Sequence, residues 1–417
     1  MVDLRPRPPR AAIRSVEAGS DVQPLTGLGG CDCVRVFVTQ RGRPIGFTDL
    51  SVEGASVGAE RLREAIMRQL GERIAAAAAV VPSPALPPGV PASVVVATYD
   101  RPAELARCLR ALRAQETRRP LDVVVVDNHP ASGLTPPVLA DFPGVTLVAE
   151  PRRGAAYARN AGFVAARGAV LACTDDDVSV PPGWLEALIA PFADERVMAV
   201  TGNILPLELD TPAQWFVETY GGLGRGFERR VFDRAWFEDS GGPAPTWNIG
   251  GTANAAFRAR ALADPSIGLM DEALGPGMPS GVGEDSYLFY RILKAGHRIV
   301  YEPDAWVWHR HRRDMRALRR QMYAYAKGHV AHLLTTWLRD GDRRALSRLG
   351  IRLPRWHVKQ LERWAVARVR GEVPYPLSLM LVELAGHLAG PVGLWRSWRR
   401  VRREGRSAPY VLAATPS

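Results

Sequence analysis

Short apolar runs alternate with segments of helical spacing between residues 92 and 175. The continuous valine run over residues 123–126 is typical of a strand that is covered on both faces, as in parallel sheets. The pattern predicts strands over residues 93–98, 121–127, 145–150 and 169–174, and helices over residues 103–115 and 154–167. It therefore indicates an α/β domain whose ligands bind beyond the carboxyl ends of the strands.

A smaller unit precedes this domain. Residues 34–39 and 45–50 flank a Gly/Pro turn and predict a hairpin, and residues 60–80 have helical spacing. A proline-rich stretch follows, and proline neither donates to a strand ladder nor continues a helix. We therefore predict a disordered segment at 1–30, a small α+β module at 31–82, a linker at 83–91, the α/β domain at 92–330 and a helical region with a basic tail at 331–417.

Composition narrows the class of protein but does not name its partner. The 417 residues are 47% hydrophobic, which is enough for a sizeable core in more than one domain. Four scattered cysteines argue against a disulfide scaffold, and the N-terminal sequence lacks the apolar core of a signal peptide, so we expect a cytoplasmic protein. Much of the net charge of +11 lies in the last third of the chain, so the site itself need not be basic.

Three consecutive acids, Asp175, Asp176 and Asp177, directly follow the apolar run at 168–174. Adjacent carboxylates at the end of a buried strand repel each other unless a cation or a hydroxyl-rich ligand neutralises them. The arrangement points to a divalent metal and a phosphate, with an acidic surface turn as the alternative.

Polar residues also follow the first two strands of the domain. Asp100 can be a helix cap and Asp127 can belong to an ordinary turn, so each alone is more often structural. Because parallel strands end at one edge of a sheet, these residues and the three acids can face one ligand.

Five ordered blocks make the sequence resemble the inverting glycosyltransferases of family 2, which bind a nucleotide sugar in a GT-A-type domain. The blocks are VVVATYDRP at 94–102, VVDN at 125–128, RGAAYARNAG at 153–162, TDDD at 174–177 and GED at 283–285. The resemblance covers roughly residues 92–330. It implies an α/β fold with a GT-A-like, mostly parallel (mixed) sheet flanked by helices, plus a small N-terminal hairpin-plus-helix module and a helical C-terminal region.

The resemblance implies a donor pocket beside these strand ends. Asp127 looks like the acid that accepts the N–H of the base, and Asp176 looks like the ribose contact. Arg159 is placed to meet the donor sugar or diphosphate, although it can also be read as a solvated helix residue. The donor-side residues that the resemblance implies are Thr98, Tyr99, Asp100, Arg101, Asp127, Arg159, Asn160, Asp175 and Asp176.

The resemblance also implies a Mg²⁺ or Mn²⁺ ion as cofactor. Asp177 looks like the ligand of this ion, and the ion would bridge the two phosphates. Such ions need only one or two carboxylates beside phosphate oxygens and waters. His309, ahead of His311, looks like a second ligand, with a structural histidine as the alternative. The cation stabilises the charge of the departing nucleoside diphosphate.

Transfer of the sugar to an acceptor hydroxyl requires a general base on the opposite side of the anomeric carbon from the leaving group. The family's Glu-Asp pair maps to Glu284 and Asp285, so Asp285 looks like the base and Glu284 like its support or an acceptor contact. Both acids can instead simply favour a helix N-terminus. Gly250, Gly251 and Asn254 resemble the family's acceptor-side strand.

The apolar segment at 375–395 leaves two readings open. Glu383, His387 and Pro391 interrupt it, which argues against a membrane span. An interfacial helix at the inner face of the cell membrane suits the tryptophans and arginines at 395–406, and a helix packed on the catalytic domain is the alternative.

The leading prediction is a metal-dependent inverting glycosyltransferase that acts on a glycan, lipid-linked or small-molecule hydroxyl, as in cell-envelope polysaccharide biosynthesis, with no nucleic-acid partner. A non-catalytic sugar-nucleotide-binding or scaffold protein remains the alternative. A nucleotidyltransferase is a weaker one, because residues 98–102 lack the glycines of a phosphate-binding loop. The sequence names neither the donor sugar nor the acceptor.

Overall fold

The computed structural model describes residues 9–79, 85–219, 221–372 and 374–412. The strands are β1 Ala11–Glu17, β2 Cys33–Gln40, β3 Arg43–Ser51, β4 Ala92–Thr98, β5 Leu121–Asp127, β6 Thr146–Ala149, β7 Val170–Asp175, β8 Val178–Ser179, β9 Val197–Pro206, β10 Arg230–Phe232, β11 Asn254–Arg258 and β12 Arg298–His309.

Helices cover both faces of the larger sheet and form most of the C-terminal region. They are α1 Ala59–Ala78, α2 Pro102–Arg113, α3 Thr135–Leu139, α4 Ala155–Ala165, α5 Trp184–Ile189, α6 Pro212–Thr219, α7 Arg234–Glu238, α8 Ala259–Ala263, α9 Glu284–Lys294, α10 Met315–Asp340, α11 Arg344–Ser347, α12 Leu353–Val369 and α13 Leu377–Glu404. A π-helical turn, Arg348–Arg352, joins α11 to α12.

The larger sheet is mixed, with strand order β10-β12-β9-β11-β7-β4-β5-β6 and β8 paired to β12. Strands β7, β4, β5 and β6 run parallel, and β11 lies antiparallel between β7 and β9. The fold class predicted from the sequence is confirmed, and the predicted strands and helices of residues 92–175 end within two residues of the observed ones.

Alternating valines explain why the centre of the sheet is covered on both sides. Val94 and Val96 of β4 pack towards the layer that contains α2 and α5, whereas Val95 packs towards the layer of α4 and α9. Helix α4 approaches the sheet closely at Gly162, where a Cβ atom would lie 2.3 Å from the Cγ1 atom of Val95. This close packing fixes the position of Arg159, one turn earlier on the same helix.

The N-terminal module differs from the prediction at its start. Residues 1–8 lie outside the described residues, but Ala11–Glu17 is not disordered, because it pairs with β2 in parallel beside the predicted hairpin of β2 and β3. Because this pairing is parallel, β1 and β2 are joined through residues 18–32 rather than by a tight hairpin turn, so no hairpin signal marks it. The module packs on the larger sheet, where the Phe37 ring lies 5.3 Å from the Trp308 ring.

The C-terminal region begins earlier than the predicted boundary at residue 331, because α10 runs unbroken across it from Met315. Helix α13 packs tightly on α10 through small residues. A Cβ atom at Gly390 would lie 2.5 Å from the Cβ atom of Val330, and one at Gly386 would lie 2.6 Å from the carbonyl oxygen of Tyr323. Glycine therefore allows the two helix backbones to approach.

Helix α13 is long and apolar enough to cross a membrane by length and composition, with 33% of its most apolar window buried inside the protein. Its outer face carries exposed apolar side chains at helical spacing, which are Leu377, Leu381, Leu384, Leu388, Val392 and Trp395. One face of the helix is therefore packed on α10, and the other is exposed.

Candidate active site

The carboxyl ends of β4, β5 and β7 lie together at one edge of the larger sheet. Thr98 is paired in register with Asp127, and Ala97 with Asp175, so the polar residues that follow these strands become neighbours. The predicted clustering at this edge is what parallel pairing produces.

Arg101 joins two of the three consecutive acids. Its Nη1 atom donates to Asp176 Oδ1 at 3.1 Å and to Asp177 Oδ2 at 2.7 Å. Asp176 is buried and also accepts from the Thr98 hydroxyl at 2.8 Å. Burial raises the pKa of Asp176 to about 6, while Arg101 acts in the opposite direction. The repulsion expected between the acids is therefore relieved in part by a cation of the protein itself.

Asp177 lies next to His309, at the end of β12. The distance between Asp177 Oδ1 and His309 Nε2 is 3.6 Å, which is longer than a hydrogen bond but suits two atoms that share one cation. Burial lowers the pKa of His309, which favours the neutral ring that can act as a ligand. Within the described ranges no group of three or more His, Cys, Asp or Glu side chains is arranged around a metal position. One carboxylate and one imidazole fit a Mg²⁺ or Mn²⁺ ion that takes its other ligands from phosphates and waters.

Arg159 links the carboxyl end of β7 to the start of α9. It is buried, and it donates to Asp175 Oδ1 at 2.7 Å and to Glu284 Oε1 at 2.9 Å. The reading of Arg159 as a solvated helix residue is therefore wrong. Its guanidinium neutralises two acids that would otherwise face each other in a poorly hydrated site.

Glu284 and Asp285 begin α9, as the sequence suggested. Glu284 is buried and accepts from the Gly283 N–H at 3.0 Å, while Asp285 Oδ1 accepts from the Ser286 N–H at 2.6 Å. Burial raises the pKa of both carboxyls above the ordinary range, and their proximity to each other adds to this for Glu284. A carboxylate whose pKa is raised is a stronger base, so it accepts a proton from a hydroxyl more readily.

Asp285 faces a cavity of about 500 Å³. Gly251 lies beside it, since a Cβ atom there would be 3.5 Å from Asp285 Oδ2. Gly250 has φ +158°, and a Cβ atom there would lie 2.6 Å from the Cβ atom of Thr201. Both glycines leave backbone exposed to the cavity. Its walls also carry residues that sequence reasoning did not single out, which are Arg225, Trp247, Tyr325, His329, Arg348 and His387. They come from the C-terminal helices and connecting loops, where no local motif marks them.

A flat aromatic surface lies at the other end of the site. The rings of Tyr99 and His129 are stacked, with centroids 5.0 Å apart and planes at 7°. Asp100 adopts a left-handed backbone, with φ +55°, and accepts from His129 at 2.7 Å. Hydrogen bonds from Ser132 and His129 lower the pKa of Asp100. His129 follows the Asp127-Asn128 block directly, so its position after a strand could have marked it.

Two predicted site residues have structural roles instead. Asn160 is fully buried and exchanges hydrogen bonds with the backbone of Met270, at 2.9 and 3.0 Å, rather than facing the donor. Asn254 is also fully buried and ties together the backbone of Asn203 and Ala305 and the indole of Trp184. Both amides therefore satisfy buried backbone groups in this structure, a role that an amide fills as readily as it binds a sugar.

Residues 93–262 match the family model described as Glycosyl transferase family 2. This stretch of the chain is therefore similar to the family 2 glycosyltransferases. The family resemblance is therefore confirmed over this range, which contains the donor-side acids and the predicted acceptor-side strand.

Relatives with named activities share part of this chain. A pre-mycofactocin glycosyltransferase of Mycobacterium tuberculosis is 30% identical over 54% of this chain and 43% of its own length. The succinoglycan biosynthesis proteins ExoM and ExoO of Rhizobium meliloti are 29% and 32% identical, over 64% and 59% of their own lengths. This chain therefore spans less than two thirds of each of these relatives.

Among solved structures, a mannosyltransferase of Pyrobaculum calidifontis, named as a complex with GDP-Man and Mn²⁺, is 20% identical. The alignment covers 80% of this chain and 80% of that protein, with a TM-score of 0.42.

Proposed function

We propose that this protein is a metal-dependent inverting glycosyltransferase that transfers a sugar from a nucleotide donor to an acceptor hydroxyl. One observation carries the proposal: Asp285, Arg159, Asp175 and His309 line the same cavity of about 500 Å³. A base, a buried cation, a donor-side acid and a candidate metal ligand around one space are what a single displacement requires.

On the donor side, the base lies near Asp127 and the stacked rings of Tyr99 and His129, where an aromatic ring finds a flat surface. The ribose is held near Asp176, and the diphosphate lies between Arg101 and Asp177. Arg101 changes partners on donor binding, since its present bonds to Asp176 and Asp177 occupy oxygens that the donor and the cation need. Asp175 keeps Arg159 in place at the sugar end.

Asp177 and His309 would hold the cation. When bound, Mg²⁺ or Mn²⁺ supplies Lewis-acid stabilisation of the leaving diphosphate. The names of the aligned relatives are those of glycosyl-transferring or polysaccharide-forming proteins, which supports the reaction class but not one substrate.

Asp285 removes the proton of the acceptor hydroxyl as its oxygen attacks the anomeric carbon from the cavity side. The new bond forms on the face opposite the departing phosphate oxygen, so an α-linked donor gives a β-linked product. Glu284 does not touch the acceptor in this mechanism. It shares Arg159 with Asp175 and thereby fixes the start of α9, on which Asp285 sits.

We also propose that α13 lies at an anionic membrane surface. The exposed apolar stripe of α13 continues into the exposed arginines Arg399, Arg402 and Arg403, a pairing that suits lipid tails and headgroups. Flotation with phosphatidylglycerol vesicles should recover the wild type, and the double variant Leu381→Asn/Leu388→Asn should bind less. The matched control is Val231→Asn, an exposed apolar site elsewhere. Equal recovery of all three proteins would overturn this placement.

The test of the function is release of nucleoside diphosphate from a panel of nucleotide sugars, with Mn²⁺, Mg²⁺ or EDTA. One donor should be turned over in a metal-dependent way, and Asp177→Ala should lose that turnover. Asp141→Asn, an exposed acid in the loop between α3 and β6, is the control. A protein that binds a donor but never transfers it, with membrane extract supplied as acceptor, would be a sugar-nucleotide-binding protein instead.

A further inference from the structure

Four side chains form a line that leads from the outside of the domain to the proposed metal position. Glu218 Oε1 lies 2.8 Å from His311 Nε2, His311 Nδ1 lies 3.3 Å from His309 Nδ1, and His309 Nε2 lies 3.6 Å from Asp177 Oδ1. His311 is 3% exposed, so its ring is held away from bulk water. Each contact is made through a defined ring nitrogen.

These contacts fix where each proton resides when both rings are neutral. A carboxylate only accepts, so His311 Nε2 must carry its proton and donate to Glu218. His311 Nδ1 is then an acceptor, and His309 Nδ1 must donate to it. The remaining nitrogen, His309 Nε2, then carries no proton, and its lone pair faces the proposed metal position beside Asp177.

The N-terminal module holds the outer end of this line. Arg35 of β2 makes a double hydrogen bond to Asp49 of β3, with both distances 2.8 Å, and lies 3.5 Å from Glu218 Oε2. Its guanidinium also lies over the rings of Phe47, at 4.1 Å, and Trp215, at 5.3 Å. Arg35 is buried, so its fixed charge helps to hold the Glu218 carboxylate in place.

We propose that Glu218 and His311 are positioning residues that set the tautomer of His309 so that its Nε2 atom binds the catalytic cation, and that the N-terminal module stabilises this arrangement through Arg35. Partners behind a metal-binding histidine commonly change metal affinity by roughly 10- to 100-fold. That His309 binds a cation rests on the proposed function, whereas its tautomer is a property of the protein alone.

The tautomer is measured directly by ¹H–¹⁵N NMR of protein with ¹⁵N-labelled histidine and no metal. The signals of His309 are identified by their loss in His309→Gln. The wild type should show His309 with its proton on Nδ1 and His311 with its proton on Nε2. A wild-type His309 that carries its proton on Nε2 overturns the proposal without any variant.

Variants test the cause. Glu218→Leu removes the acceptor of His311 and should produce a mixture of His309 tautomers, and Glu218→Gln should restore the wild-type signal because its amide oxygen still accepts. Glu228→Leu, an exposed acid in the following loop, is the control and should change nothing. An unchanged His309 tautomer in folded Glu218→Leu overturns the proposal.

Metal affinity provides the second readout. Mn²⁺ titrated alone, with UDP and with GDP should bind roughly 10- to 100-fold more weakly to Glu218→Leu than to the wild type, as followed by electron paramagnetic resonance. Equal affinities would overturn the link to the cation. Absence of glycosyl transfer with an intact tautomer effect would contradict the proposed function alone, so the two failures are distinguishable.

Discussion

At the scale of single residues, two arginines compensate the negative charges that the acids bring to this site. Arg101 bonds to Asp176 and Asp177, and Arg159 bonds to Asp175 and Glu284. An unpaired carboxylate in a poorly hydrated site is costly, and removing one partner of a buried pair leaves that cost uncompensated. The sequence marks these acids as a cluster, but it does not show which cation serves which acid.

Arg159→Met should therefore be strongly destabilising. It leaves Asp175 and Glu284 without a cation, and the loss of one partner of a buried pair typically costs about 3 to 5 kcal/mol. Urea unfolding measures the change in the free energy of unfolding. Arg234→Met is the control, because Arg234 makes an exposed i,i+4 pair with Glu238 and should change stability little. A cost no larger than that of the control would show that the Arg159 pairs are not formed.

Two asparagines show the limit of inference from a motif. Asn160 stands inside one of the family-like blocks and Asn254 inside the predicted acceptor-side strand, yet both hold buried backbone groups. A motif shows which residues occur together in a family, but it does not show which of their atoms contact the ligand. Arg159, only one position before Asn160, points the other way because α4 turns its neighbouring side chains to different faces.

At the scale of elements, strand β12 ends at His309 in the candidate site and has an irregular pairing in its middle. Its pairing with β9 shifts between Glu302 and Trp306, and Asp304 of this segment binds Arg43 of the N-terminal module. Burial, with Asp304 nearby, raises the pKa of Glu302 to about 7. The irregularity thus places a carboxyl where its charged form is disfavoured.

Glu302 should make stability fall as pH rises. Between about pH 4.5 and about pH 7 the unfolded chain releases this proton while the native protein retains it, so the free energy of unfolding decreases. Glu302→Gln cannot ionise, and its stability relative to wild type should rise over this interval by up to about 3 kcal/mol. Urea unfolding at pH 4.5, 6 and 8 measures the difference. Glu238→Gln, on the surface of α7, should show no such trend, and a flat difference for Glu302→Gln would contradict the account.

Helix α13 depends on glycine for its attachment to α10. Gly390→Val inserts atoms where a Cβ atom alone would already lie 2.5 Å from Val330, so α13 should move away from α10. Hydrogen exchange of residues 377–404 should become faster. Gly350→Ala is the control, since a Cβ atom there has no neighbour within 4 Å. Unchanged exchange in Gly390→Val would show that this contact does not hold the helix.

At the scale of the whole molecule, the sequence predicts the α/β domain well and its surroundings less well. Valine runs and strand-end acids are local signals, so they predict the sheet and its edge. The wall that α10, α12 and α13 add to the cavity depends on long-range packing, and so does the pairing of β1 with β2. Sequence periodicity contains no record of such contacts.

The molecule joins three parts around one cavity. The α/β domain supplies the consecutive acids and Asp285, and the C-terminal helices supply the opposite wall. The N-terminal module contacts the site through the pair between Arg35 and Glu218. The proposed mechanism therefore depends most on Asp285, because the other groups of the site could all serve only to bind substrate or metal.

The measurement that tests this most directly compares transfer and donor binding in Asp285→Asn, with the donor found by the nucleotide-sugar panel. Asparagine keeps the shape of the side chain but cannot accept the proton, so transfer should fall by roughly 100-fold or more while donor affinity remains within about threefold of wild type. Asp141→Asn should match the wild type in both. Transfer by Asp285→Asn at the wild-type rate would contradict the assignment of the base and the mechanism built on it.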